Sequence, residues 1–409
     1  MKIEQYHILL MFAGLIGLAA CSGGEGVEPA TVPEEGQTAI SFIGGQQEEQ
    51  AVTRAATGLE TLLNEKTFKV WGYKNDAYDA GTGSYTSYQT VMPNYTVSWT
   101  ANTAYTTTTN TNDWEYVGLG TGSDQEIKYW DFGANAYRFF GYAKGNATAA
   151  EHANPADPSS AIVTPATPQV AVTENGLAAD AVSFTAEVDA STDAAFNAAP
   201  YFTRLWFSDG NPTNYPDRQF GRPVQLQFLK PFARVRFMFT FVEGVAKRKD
   251  LKNITFHPTD LEAHITTSGT VTVSYPLKGT ATTESWSFTP GTNYLDAFLI
   301  DYYETPDPAD VPAGVPANSQ PTTWPNTTGK WYTVLPVASQ GSYTLEVSVV
   351  TEQIKKVVVP AEYMQWKAGY EYTYKFKVTE KGDITIEVVQ VAINEWGNRR
   401  VSEHVVYNW

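Results

Sequence analysis

Residues 370–378 read YEYTYKFKV, the strictest alternation of apolar and polar residues in the chain. Successive side chains of a β-strand point to opposite faces of a sheet, so a repeat of two predicts a strand with one buried face. The same repeat occurs in 224–228, VQLQF, and in 233–241, ARVRFMFTF. Because a turn-like Lys230-Pro231 separates these two stretches, they are predicted to form an antiparallel hairpin.

Composition extends the prediction of strands to the whole chain. The 409 residues include 24 Tyr, 20 Phe and 11 Trp, together with 31 Gly and 23 Pro. Aromatic residues favour strands, whereas Gly and Pro are typical of turns. Further hairpins are predicted in 271–275, 332–335, 343–350 and 355–359. The sequence therefore predicts an all-β protein, with most aromatic side chains in its core rather than on a carbohydrate-binding surface.

The chain is long enough for two domains, and 208–223, rich in Asn, Pro, Asp and Gly, is the predicted boundary between them. We therefore expect domains at 55–219 and 220–409. The 28 basic and 44 acidic residues give a net charge of -16. This charge repels phosphate backbones, so nucleic acid is not an expected partner.

The N-terminus carries an export signal. Residues 8–20 are almost wholly apolar and end in Ala19-Ala20, which predicts a signal peptide at 1–20, cleaved between Ala20 and Cys21. Cys21 is the only cysteine, and its position is similar to the lipobox of bacterial lipoproteins, in which this sulfur is acylated. The alternative is an ordinary signal peptide with a chance cysteine. No later stretch reaches the roughly 18 to 20 apolar residues of a spanning helix, so a membrane anchor would be the lipid on Cys21.

Arg54 is the second landmark, because it is the first arginine of the chain and the next is Arg138. It ends a largely polar segment, 21–54, that contains one alternating stretch, AISFI at 39–43. Exposed polar tethers are preferred sites of proteolysis, so an arginine-specific protease would find a well-presented site between Arg54 and Ala55. A solvated linker arginine without a role is the alternative.

Motifs for catalysis or cofactor binding were not found. The chain contains no Gly-x-Ser-x-Gly elbow, His-Glu-x-x-His pair or phosphate loop, so neither an enzyme nor a cofactor is predicted. His257, Asp260, Glu262 and His264 are close in sequence, and the last three would share a face if they lay on a strand. Exposed polar alternation explains them as well, and no metal site is predicted.

Several of these features, taken in order, resemble the fimbrillin-like (type V pilin) proteins of the Bacteroidales. The stretches that carry the resemblance are AVTRA at 51–55, FKVWGY at 68–73, IKYW at 127–130, YRFFGY at 137–142, 224–239, WKAGYEYTY at 366–374, and Trp396. Each stretch alone is ordinary aromatic strand sequence, and the ordered set spans nearly the whole exported chain.

The resemblance implies two tandem transthyretin-like, Greek-key β-sandwiches, at 55–219 and 220–409. It also implies a mechanism in which an arginine-specific surface protease removes the lipidated propeptide, 21–54, together with the strand 39–43. The groove opened in the first domain would then accept a C-terminal strand of the next subunit, by β-strand addition. The implied location is the cell surface, as an outer-membrane lipoprotein before processing and in the fimbria afterwards.

The residues implicated in strand exchange fall at the two ends of the chain. The leaving strand contributes Ile40 and Phe42, and the candidate donor residues are Ile384, Ile386, Val388, Val391, Ile393, Val401, Val405 and Tyr407. The implied partners are other pilus subunits, the protease, the outer-membrane lipid before processing, and a receptor or glycan on a host or bacterial surface.

Three other functions are consistent with the sequence. One is a lipid-anchored surface glycan-binding protein, favoured by the tryptophans and by the same export route. Another is a pilus anchor that keeps its lipid and is not cleaved. The third is a glycoside hydrolase, because paired carboxylates do not reveal themselves in sequence.

Overall fold

The computed structural model describes residues 38–43, 66–99, 114–118, 125–145, 151–152, 162–163, 169–241, 251–300, 331–337, 341–349, 354–378, 384–385, 388–395 and 398–407. The strands in these residues are, in chain order, β1 (Phe42–Ile43), β2 (Thr67–Asn75), β3 (Tyr78–Asp79), β4 (Ser84–Tyr85), β5 (Gln89–Trp99), β6 (Trp114–Glu115), β7 (Ala136–Ala143), β8 (Glu151–His152), β9 (Ile162–Val163), β10 (Thr173–Ala178), β11 (Ala181–Asp189), β12 (Tyr201–Thr203), β13 (Trp206–Ser208), β14 (Val224–Gln225), β15 (Phe228–Leu229), β16 (Ala233–Phe241), β17 (Leu251–Pro258), β18 (Ile265–Thr266), β19 (Ser268–Pro276), β20 (Ser285–Pro290), β21 (Tyr294–Leu295), β22 (Phe298–Ile300), β23 (Tyr332–Val334), β24 (Tyr343–Val349), β25 (Ile354–Val359), β26 (Tyr370–Val378), β27 (Ile384–Thr385), β28 (Val388–Glu395) and β29 (Asn398–Tyr407).

Helix is scarce in the described part of the chain. It comprises the α-helix α1 (Asp193–Ala198) and a 3-10 helix (Ala361–Tyr363). The prediction of an all-β protein is confirmed. The division into two tandem sandwiches stays a prediction.

A central sheet, with strand order β15-β12-β7-β2-β5-β6 and with β13 also paired to β7, forms the middle layer between two cores. Strand β7 is buried along almost its whole length. Its Tyr137 and Phe139 side chains pack in one core, which we call the first core, and its Ala136 and Phe140 side chains pack in the second core. Both faces of β7 are buried, which explains why AYRFFGYA does not alternate between apolar and polar residues. Its one charged residue, Arg138, is fully buried as well.

The second core lies between the central sheet and a sheet with the order β10-β11-β19-β20. In this second sheet, β11 and β19 pair along their full length, from Ala181 opposite Pro276 to Asp189 opposite Ser268. Hydrogen-bonded pairing therefore joins residues from both sides of the boundary predicted at residue 220. The domain bounds stay a prediction.

The third core lies between two sheets with the orders β23-β16-β26-β28-β29 and β22-β17-β24-β25. The strand predicted at 370–378 is confirmed as β26, with the same bounds. Its Tyr372, Tyr374 and Phe376 side chains are buried in this core, as the alternation predicts. Of the further hairpins, 343–350 and 355–359 are confirmed, because β24 and β25 pair as antiparallel neighbours. In contrast, 332–335 and 271–275 do not pair with each other, because β23 pairs with β16 and β19 pairs with β11 and β20.

The hairpin predicted from 224–228 and 233–241 is wrong. Strand β14 pairs with β1, β15 pairs with β12, and β16 pairs with β23 and β26. The chain does not turn back at Lys230, which is only 4% exposed. Instead, this segment runs on from the first core to the third core, because Val224, Leu226 and Phe228 pack in the first core whereas Ala233, Val235 and Phe237 pack in the third.

Lys230 is held by the end of helix α1. Its Nζ donates hydrogen bonds to the carbonyl oxygens of Phe196 and Asn197, both at 3.1 Å, and to that of Ala199. Nζ also lies 4.2 Å from the ring centroid of Tyr201. Carbonyls at a helix C-terminus lack partners within the helix and attract cations. Burial nevertheless lowers the pKa of Lys230 to about 7.

The lowered pKa of Lys230 predicts that stability changes with pH. The unfolded lysine, with a pKa of about 10.4, keeps its proton between pH 7 and 10, whereas the folded one loses it. The unfolded state then binds more protons, so the free energy of unfolding rises with pH in this window. Relative to Lys230→Met, the natural protein should gain about 3 kcal/mol from pH 7 to 9.5, measured by urea unfolding. A difference that stays constant with pH would show that the folded lysine keeps its proton.

Candidate functional site

Residues 38–43 lie in the first core, between two other segments of the chain. On one side they contact the segment 128–130. Ile40 N donates to the carbonyl oxygen of Lys128 at 2.7 Å, and Trp130 N donates to that of Thr38 at 2.9 Å. These bonds align the 38–43 strand antiparallel to the segment, with Ala39 opposite Tyr129.

The other edge of the 38–43 strand pairs with β14. Phe42 lies opposite Val224 in a parallel register, and Val224 N donates to the carbonyl oxygen of Ser41 at 2.7 Å. The strand is thus hydrogen-bonded along both edges. We call the space that it fills, between 128–130 and Val224–Gln225, the strand groove.

Phe42 lies in a box of three aromatic rings. Its ring centroid is 5.9 Å from that of Phe68, 6.1 Å from that of Tyr116 and 6.1 Å from that of Phe139, with interplanar angles of 81°, 82° and 88°. Such edge-to-face contacts contribute about 0.5 to 1.5 kcal/mol per pair beyond the burial of apolar area. Phe42 and Ile40 are each only 1% exposed.

Tyr116 links the box to the backbone of the strand. Its hydroxyl donates to the carbonyl oxygen of Ile40 at 2.8 Å and accepts from Lys128 N at 3.2 Å. Burial raises the pKa of Tyr116 above its usual value, so the hydroxyl stays a neutral donor at physiological pH. The Glu115 carboxylate accepts from the backbone N of Tyr116 and of Val117, which fixes the approach of the chain to this ring.

The second face of the strand is buried as well. Ala39 is 4% exposed and Ser41 is 7% exposed. The groove therefore surrounds the 38–43 strand on both faces. The strand presents two large apolar side chains on one face and two small side chains on the other.

The structure brings two of the predicted site residues together, because Ile40 and Phe42 both lie in the strand groove. Ala20, Cys21, Arg54 and Ala55 lie outside the described residues, as does Ile386. Among the remaining donor candidates, Ile384 lies in β27 beside β26, and the others lie in β28 and β29, which pair with each other at one edge of the third core's first sheet. Their Cα partners are Ile384 with Val378, Val388 with Tyr407, Val391 with His404, Ile393 with Ser402, Val401 with Asn394, and Val405 with Gln390.

The two histidines and two acidic residues considered as metal ligands do not lie on one strand; they are His257, Asp260, Glu262 and His264. Residues 260–264 form a turn and loop after β17, so the shared face expected of a strand does not occur. His257 Nε2 lies 3.6 Å from Glu346 Oε1, whereas His264 Nδ1 lies 3.4 Å from Asp296 Oδ1. Among the described residues, no three His, Cys, Asp or Glu side chains are placed to hold one metal ion.

Within the same described ranges, no helix is long and apolar enough to cross a membrane.

No protein-family model matches the chain, and no curated protein matches it. Solved structures do match. One is a candidate cell adhesion protein from Bacteroides uniformis, with 12% identity over 89% of this chain and 100% of that chain, at a TM-score of 0.32. Another is the fimbrial anchor protein Mfa2 from Porphyromonas gingivalis, with 10% identity over 91% of this chain and 99% of that chain, at a TM-score of 0.25.

A further match is to candidate polysaccharide binding proteins from Bacteroides thetaiotaomicron, with 12% identity over 84% of this chain and 90% of that chain, at a TM-score of 0.27. These three structures come from Bacteroides and Porphyromonas species and are described as adhesion, polysaccharide-binding and fimbrial anchor proteins.

Proposed function

We propose that this protein is a fimbrial subunit of the type V pilus kind, exported as a lipoprotein through Cys21, cleaved after Arg54, and assembled by β-strand exchange. The observation that supports this most directly is the 38–43 strand. It is hydrogen-bonded on both edges and buried on both faces, yet it precedes Arg54. Cleavage there would leave it attached to the rest of the protein by non-covalent contacts alone.

Loss of the 38–43 strand would leave a high-energy groove. The apolar surface around Ile40 and Phe42 would meet water, at a cost of roughly 25 cal/mol per Å². The backbone N–H groups of Trp130 and Val224 would lose their acceptors, which is costly wherever water does not replace them. A second extended strand would restore both kinds of contact, which is the physical basis of β-strand addition.

The proposed donor strand lies in the tail of the chain. Among the described residues, β29 pairs with β28 alone and so forms the edge of its sheet. Edge strands present unpaired backbone groups and are templates for pairing with another chain. A strand at an edge also detaches from its sheet by breaking one ladder of hydrogen bonds instead of two.

Deletion of residues 398–409 tests this proposal. In cells that make the other pilus subunits, the truncated protein should be exported and cleaved but should not extend fibres, whereas a surface glycan-binding protein should keep its ligand affinity. Fibre length, observed by electron microscopy, is the measurement, and circular dichroism checks that the truncated protein is folded. Fibres of normal length would contradict a donor role for the tail.

The uncleaved anchor is the second candidate function. Residues 38–43 fill the groove of the uncleaved chain under both functions, and a subunit that keeps its lipid would keep its own strand there. The two functions differ in the N-terminus of the mature protein.

A further inference from the structure

We infer that the strand that fills this groove in an assembled fibre comes from a different protein, and not from the tail of a second copy of this chain. The inference rests on the proposed function, because it assumes that the groove is emptied and refilled. The partner strand would carry, at the positions of residues 39 to 42, a small, an aliphatic, a small and an aromatic side chain.

The aromatic position follows from the box around Phe42. Three rings meet this side chain edge-on, with centroids 5.9 to 6.1 Å away. A leucine or isoleucine there would lose these contacts and would leave part of the box empty. Ile40, two residues earlier on the same face, needs an aliphatic side chain of similar volume.

The two small positions follow from the burial of the other face. Ala39 and Ser41 have only 4% and 7% of their surface exposed. A longer side chain at either position would have to displace the atoms that cover it, and overpacking of this kind is destabilising. A charged or imidazole side chain would in addition be taken out of water.

The tail of this chain contains no stretch with that order. Within 384–409, only Tyr407 is an aromatic residue that follows an aliphatic one, Val405, at a spacing of two. In this register the small positions would receive His404 and Val406. The register Gln390 to Ile393 offers one small residue, Ala392, but no aromatic one. Each register of the tail thus fails on one face of the groove.

Substitutions in the full chain test the two faces separately. The variant Ile40→Val/Phe42→Tyr takes only the large-face residues of the tail, and its thermal midpoint should fall modestly, because a methylene group is lost and a hydroxyl is buried. The four-residue variant Ala39→His/Ile40→Val/Ser41→Val/Phe42→Tyr should melt roughly a further 5 °C or more below the two-residue variant. A four-residue variant that melts like the two-residue variant would show that the groove accepts the tail, and would overturn the inference.

Peptide binding tests the same inference on the emptied groove. For this, the full chain carries a sequence-specific protease site in place of residues 51–54, and Ile40→Ser so that the cut strand dissociates, which intact mass verifies. A peptide of residues 37–44, QTAISFIG, should bind. A peptide of residues 401–409 should bind with a Kd about 100-fold higher, if each of the two mismatched small positions raises the Kd by about tenfold.

The outcomes distinguish the inference from the proposed function. Binding of neither peptide would contradict the groove itself and with it the proposed function. Binding of both within tenfold would leave the groove intact and would make a second copy the partner, against this inference. Polymerisation of the cleaved natural chain on its own would likewise show that a second copy fills the groove, and would overturn this inference.

Discussion

Replacing Phe42 with alanine is expected to lower the free energy of unfolding of the uncleaved chain by about 3 to 5 kcal/mol, the usual cost of removing a fully buried Phe side chain. The loss includes three edge-to-face ring contacts and a cavity in the first core. Urea unfolding followed by tryptophan fluorescence measures it, because Trp114 and Trp130 lie in the same core.

Phe132→Ala is the matched control for Phe42→Ala. Phe132 is 59% exposed, so its removal should change the free energy of unfolding by no more than about 0.5 kcal/mol. If Phe42→Ala were as mild as this control, the 38–43 strand would not be a packed part of the first core.

Replacing Arg54 with alanine is expected to abolish incorporation into fibres. Without a cut, the 38–43 strand stays covalently attached and outcompetes any strand from another molecule, because its effective concentration at the groove is far higher. The product should be a folded, lipidated monomer, detected by immunoblot of surface and fibre fractions.

Arg54→Lys is the control for the processing step. It should also resist an arginine-specific protease, but a lysine-specific protease added from outside should restore assembly. Fibres of normal length from Arg54→Ala would refute cleavage at this residue as the trigger.

The parts of the fold that the sequence predicts well are strands with one buried face. Residues 370–378 are an example, since their alternation predicts both the bounds of β26 and the buried Tyr372, Tyr374 and Phe376. Alternation shows that a strand has a buried face but does not name the strand next to it. That is why 224–228 and 233–241 were assigned to each other, although each pairs elsewhere.

The pairing of distant strands is also hidden from the sequence. Strand β11 pairs on one side with its chain neighbour β10 and on the other side with the distant strand β19. No local pattern in Ala181–Asp189 or Ser268–Pro276 specifies the second pairing. Lys230 misleads for a related reason. Beside Pro231 it suggests an exposed turn, whereas three backbone carbonyls make its burial tolerable.

The candidate site was half predictable. Ile40 and Phe42 were identified because AISFI alternates within an otherwise polar segment, and because the family resemblance gave that segment a role. The groove's edges were not identified, because backbone atoms of Lys128, Trp130 and Val224 form them, and every residue type provides such atoms. Tyr116 was missed as well, although it directly follows the short strand Trp114–Glu115 and is itself an aromatic residue with a hydroxyl that a core can use.

Under the proposed function, the chain is cut after Arg54 and loses the strand that fills its groove. The most direct test is the N-terminal sequence and intact mass of the protein isolated from the cell surface. We predict a first residue of Ala55 and no acyl chain. A protein that begins at acylated Cys21 would contradict this claim and would support an anchor that keeps its own strand.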